Sequence, residues 1–211
     1  MVKKKELLKK IYFGNFIISD DKKISLSFSI FAVITIPLLS LFFVELESPF
    51  DFTMSYMGNN GHRVFFIIWG NITAVLLGLF AIRTYNTYQY HDKRSRVLVG
   101  LAYLFLVLTV LLPSVDDLPI LSSLHTLCAI AFSACFIISL TLFLLYIRSI
   151  NKKIGLKGLK LYFASIGIPL LALFLFGHCG VYEILFFVTI SLFLFNLNYF
   201  VLSKNNNILN K

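Results

Sequence analysis

The chain has 211 residues, 58% of them hydrophobic and 14% charged, with 23 Phe, a formal net charge of +9 and a mean hydropathy of +0.85. One soluble core of this length cannot hide so much apolar side chain, so the composition excludes a water-soluble domain and defines a polytopic membrane protein. A hydrocarbon core about 30 Å thick takes roughly 20 helical residues to cross, and the apolar runs are continuous rather than alternating, which selects helices over barrel strands.

Residues 1–23 carry Lys3, Lys4, Lys5, Lys9 and Lys10 around Leu7, Leu8, Ile11, Tyr12 and Phe13. Two readings fit equally: a short amphipathic helix on an anionic lipid surface, or a solvated basic segment that only fixes orientation. No small-x-small cleavage site follows the apolar run, so the first span is expected to stay attached. Six spans are predicted, at about Ile24–Val44, Val64–Ile82, Val97–Leu112, Ile120–Ile147, Leu159–Phe176 and Tyr182–Leu202. Pro37 lies inside the first and is expected to kink it. The third is short and closed by Pro113, and the fourth is long enough to tilt or protrude. The expected fold is all-α: one six-helix bundle over residues 24–203, with 204–211 as a tail.

Basic residues set the orientation. Of the 19 Lys and Arg, 18 fall in the N-terminal segment, the second-to-third and fourth-to-fifth connections and the tail, leaving Arg63 alone on the other face. The positive-inside rule makes the basic face cytoplasmic, with both termini in, so the net charge is topological and no nucleic-acid partner is expected. Richness in Phe, Lys, Ile and Asn points to an AT-rich bacterial genome, hence to a bacterial plasma membrane.

The outward face collects the unusual residues. The stretch Glu45–Arg63 holds Glu45, Glu47, Asp51, Ser55, Asn59, Asn60, His62 and Arg63; Pro113–Pro119 adds Asp116 and Asp117; Gly177–Val181 adds His178 and Cys179, with Glu183 following. Two predicted helices carry a small or polar stripe at helical spacing. Arg63, Ile67, Gly70, Asn71, Ala74 and Gly78 share one side of the second, and His125, Cys128, Ala129 and Ser133 share one side of the fourth. Small residues let a neighbouring helix approach and polar groups at this depth avoid lipid, so Arg63, Asn71 and Ser133 are placed in the bundle interior.

Each candidate has two readings. His125 is a metal ligand or general base, or a lone intramembrane histidine bonded to a neighbouring helix. His178 and Glu183 form a site, or Glu183 simply complements the positive end of its own helix. Asp116 and Asp117 make a solvated turn, or join His125 and His178 around a divalent metal. No HxxxH, HExxH or CxxC is present, so no cofactor is expected outside a zinc-dependent alternative. The flanks of Ser55 do not match a nucleophile elbow, and Asn71-Ile72-Thr73, a formal glycosylation acceptor, lies inside a span. Cys128 and Cys135 are two helical turns apart and Cys179 has no partner, so no disulfide is expected.

Six spans, SYMGN leading through an arginine into FFIIWGN, and LPSVDDLP followed by LHTLCAIAF together resemble a group of bacterial six-helix membrane proteins of unknown function. More distantly the pattern is similar to the DRAM, FRAG and SFK membrane proteins of eukaryotes. The resemblance covers about Ile24–Leu202; it implies a role for Asn71, Asp116 or Asp117, and His125, and an association with lipid. The expected function is therefore lipid binding, sensing or scaffolding through the outward loops, with membrane lipids or a membrane protein as partner. The alternatives are a metal-dependent hydrolase or transferase acting on lipid headgroups through Asp116, Asp117, His125, His178 and Glu183, and a small transporter. The first alternative is similar in architecture to the seven-helix ceramidase-like hydrolases, but this chain has six spans and lacks their HxxxH pair.

Overall fold

The computed structural model describes residues 11–13, 16–18, 22–115 and 117–203. Two three-residue strands, β1 (Ile11–Phe13) and β2 (Phe16–Ile18), pair antiparallel with Tyr12 opposite Ile17. They stand where an amphipathic helix was one of the two expectations; Lys3, Lys4, Lys5, Lys9 and Lys10 of that segment, and the tail 204–211, lie outside the described residues. Every other described regular element is helical: α1 (Lys22–Leu41), a 3-10 turn (Phe42–Glu45), α2 (Met54–Asn59), α3 (Arg63–Thr87), α4 (Lys93–Leu111), α5 (Pro119–Ile150), α6 (Lys152–Phe176) and α7 (Gly180–Ser203).

Six of these helices, α1 with its 3-10 extension and α3 to α7, are long and apolar enough to cross a membrane, as the sequence predicts. They pack as a ring in which α1 meets α3, α3 meets α4, and so on round to α7 and back to α1, while α3 also touches α7 across the middle. That central place explains why α3 is the most buried of the six. Close approach in its first third depends on Gly70, where an added Cβ would overlap the Val110 side chain of α4. Outward-facing Phe31, Ile34, Leu38, Phe163, Leu171 and Phe174 are more than half exposed, as lipid-facing side chains should be.

α1 runs on through Pro37. α5, at 32 residues, is about 48 Å long at 1.5 Å per residue and outreaches the hydrocarbon core. α6 begins seven residues before its predicted start, because Asn151 ends one helix and starts the next. Its N–H donates to Ile147 O at 2.8 Å and its side chain accepts from Ile154 N–H at 3.1 Å. The turn is so tight that a Cβ at Gly155 would overlap the Arg148 backbone.

At the end of the bundle away from α2, a chain of hydroxyls joins three helices. Tyr85 on α3 bonds Ser139 on α5 at 2.6 Å, Ser139 donates to Ser95 O on α4 at 2.7 Å, and Ser95 Oγ meets Tyr90 at 2.6 Å. Asp92 caps α4, accepting from Ser95 N–H and Ser95 Oγ at 2.9 Å each. These bonds, the Ser95 N–H first, hold the Asp92 carboxyl below the usual carboxylate range.

Candidate functional site

The stretch from Leu46 to His62 folds back onto the bundle. Thr53 starts α2 by accepting from Tyr56 N–H at 3.1 Å, Met54 and Met57 bury their side chains, and Gly61, at φ +94°, supplies the left-handed turn that releases the chain into α3. The start of α7 holds it down. Gly180 N–H donates to Phe52 O at 2.8 Å, Val181 N–H donates to Pro49 O at 3.1 Å, and Met54 N–H donates to Glu183 Oε2 at 2.6 Å. A Cβ at Gly180 would lie 2.8 Å from Phe52 O, so glycine is what allows the two backbones to meet.

Beside it, two predicted candidates converge on the end of α4. An α-helical carbonyl accepts from the N–H four residues on, and for Thr109 that residue is Pro113, which has none. The last bond of α4 is accordingly Leu112 N–H to Leu108 O. His125 supplies the missing donor: its Nδ1 lies 2.8 Å from Thr109 O and 3.2 Å from Leu112 O. Both partners are carbonyls, so Nδ1 carries the proton. Arg63 reaches another carbonyl of the last turn, Leu111 O, at 2.6 Å, and its other nitrogen donates to Asn59 Oδ1 of α2 at 3.0 Å. The two cationic-type side chains complete a helix C-terminus that proline cuts short.

Other candidates stay apart. Asp116 lies outside the described residues. Asp117 and His178 are exposed, and the His178 ring stands 5.6 Å from that of Tyr182. Asn71 donates to Ile67 O of its own helix at 2.8 Å and is only half-buried. Ser133 likewise donates to Ala129 O at 3.0 Å. Among the described residues no group of three His, Cys, Asp or Glu is placed to hold a metal ion.

What the sequence does not show is a cavity of about 220 Å³ beneath α2. Met54 and Ser55 roof it; Ala129, Phe132, Ser133 and Ile137 of α5 face Ile166, Pro169, Leu170 and Leu173 of α6 across it; Trp69, Tyr182, Glu183, Phe186 and Phe187 close the inner side. Ile166 lies ten residues before the end of α6, so the cavity reaches roughly 15 Å down the bundle at 1.5 Å per residue. Among the described residues its lining is apolar except for Ser55, Ser133, Tyr182 and Glu183, and Glu183 is the one carboxyl there. Trp69 is held in place by Nε1 donating to Ser40 Oγ at 3.1 Å and by edge contacts with Phe43 and Phe187.

Fold and cavity together define a multi-pass integral membrane protein with an apolar cavity beneath a loop that the start of α7 fastens down. In comparisons with family models, curated proteins and solved structures, nothing matches the chain.

Proposed function

We propose that this chain is a multi-pass protein of a bacterial plasma membrane, with both termini in the cytoplasm, that binds or senses lipid through the cavity beneath its extracytoplasmic loop without catalysing a reaction. The carrying observation is that cavity: about 220 Å³, apolar, lined by helices long and apolar enough to cross a membrane, with Ser55, Tyr182 and Glu183 near the loop. The histidine and arginine nearest to a catalytic arrangement, His125 and Arg63, are engaged in capping α4. The asymmetry of 18 basic residues against one supports the orientation. The resemblance of SYMGN, FFIIWGN and LHTLCAIAF to the six-helix and DRAM, FRAG and SFK proteins supports a lipid association.

The test is native mass spectrometry of the full chain released from lipid nanodiscs, beside an Ala129→Phe, Ser133→Phe double variant that fills the chamber. Wild type is expected to retain one lipid-mass adduct and the filled variant to lose it while keeping its thermal stability. Equal adducts on both, or none on either, would overturn the proposal. A C-terminal reporter active only in the cytoplasm checks the orientation, and a silent reporter would reverse it.

A further inference from the structure

We infer that the ligand of this cavity is a single-chain amphiphile whose buried polar end is a non-anionic hydrogen-bond donor, an ammonium or a hydroxyl, received by Glu183. The inference rests on the lipid-binding reading and adds the chemical class of the ligand. A carboxylate offers about four lone-pair positions. Glu183 uses two of them, on Met54 N–H at 2.6 Å and Tyr182 O–H at 3.4 Å, and both donors are neutral. It stands at the wall of an apolar cavity with no Lys or Arg among the described lining residues. A carboxyl so placed, with no basic partner beside it, gains from any further donor that reaches its spare lone pairs. A ligand that brings one is bound more tightly, whereas a carboxylate or phosphate head brings no donor and finds no cation among the described lining residues.

Size and polarity fix the rest. At about 220 Å³ the cavity is smaller than the roughly 300–1,000 Å³ of ordinary ligand pockets, which suits part of one chain better than two. Glu183, Tyr182 and Ser55 sit at the loop end, and Ile137, Ile166 and Phe132 lie deeper. The head therefore points to the loop and the chain to the middle of the bundle.

The protein carries its own reporter, because its single Trp, Trp69, lines the cavity and is only 3% exposed. The probes are ω-bromohexylammonium, ω-bromohexanol and ω-bromohexanoate, titrated into the full chain in a non-ionic detergent while bromine quenching of Trp69 is followed. Saturable quenching is expected for the ammonium and the alcohol, at least about ten-fold tighter than for the carboxylate. In Glu183→Gln, which keeps an acceptor for Met54 N–H, the difference between ammonium and carboxylate should fall to within about two-fold. Equal binding of all three to wild type, or an unchanged preference in Glu183→Gln, overturns the assignment of the head while leaving lipid binding intact. No saturable quenching by any probe, with the Ala129→Phe, Ser133→Phe variant behaving as wild type, removes the lipid-binding reading and this inference with it.

Discussion

If His125 is the donor that Pro113 withholds from Thr109, the two residues must be energetically coupled. Replacing His125 by Leu removes the donor but roughly keeps the volume, leaving Thr109 O, now 2.8 Å from Nδ1, without a partner. An unsatisfied buried carbonyl costs about 1–3 kcal/mol in water-soluble proteins, and interhelical bonds in membranes average nearer 0.6 kcal/mol, so a loss of about 1–2 kcal/mol is expected. In a Pro113→Ala background residue 113 has an N–H, α4 gains one more turn bond, and the same His125→Leu change should lose only its packing contribution. The difference between backgrounds, about 1 kcal/mol, is the coupling. It is measured by reversible unfolding in mixed micelles, following the fluorescence of Trp69, which is buried 16 residues before Tyr85 on the same central helix. A loss equal in both backgrounds to within about 0.4 kcal/mol would show that the imidazole does not cap α4 and would refute the reasoning.

Gly70→Ala places a methyl against Val110 and is expected to cost about 1–3 kcal/mol, with Val110→Ala restoring part of it; thermal unfolding of the two single variants and the double variant checks this, and simple additivity would argue against a close α3–α4 contact. Asp92→Ala removes the cap of α4 and should cost about 1 kcal/mol at neutral pH. Since the folded state holds the Asp92 carboxyl below its unfolded range, that stabilisation is full above the unfolded value near 3.9 and is lost as pH falls through the folded one. The gap between wild type and Asp92→Ala should therefore shrink as the pH drops from about 4; a gap that widens in acid contradicts the sign.

The spans were legible because hydrocarbon thickness imposes a length that no loop can imitate. Their ends were less so, and α6 shows why. Lys152, Lys153, Lys157 and Lys160 lower the apparent hydropathy of its first turns, yet the helix starts at Asn151, whose capping side chain was the available signal. Over residues 11–18 an amphipathic pattern was one expectation, but six of these residues form paired strands, and short apolar runs do not separate the two periods.

The motif strings gain physical content once their partners are visible. SYMGN is α2 itself: Met57 is buried, a Cβ at Gly58 would overlap Phe66, and Asn59 holds Arg63. In FFIIWGN, Phe66 and Trp69 stack and Gly70 admits α4, whereas Asn71 only back-bonds its own helix. In LHTLCAIAF, His125 answers a proline twelve residues earlier, a pairing that the i+4 offset between Thr109 and Pro113 announces to anyone asking where that carbonyl finds its donor. The cavity announces itself nowhere in the chain. It arises where Ala129 and Ser133 of α5 stand opposite Pro169 of α6, and no one of these residues is unusual alone. Glu183 was legible as an acidic residue at a helix start, with its own helix as the expected beneficiary. Its bond instead fastens Met54, 129 residues away, and leaves the rest of the carboxylate at the cavity wall. The same side chain thus fastens the roof and supplies the one carboxyl among the described lining residues, which makes Glu183 the position where loop stability and ligand selectivity should respond together.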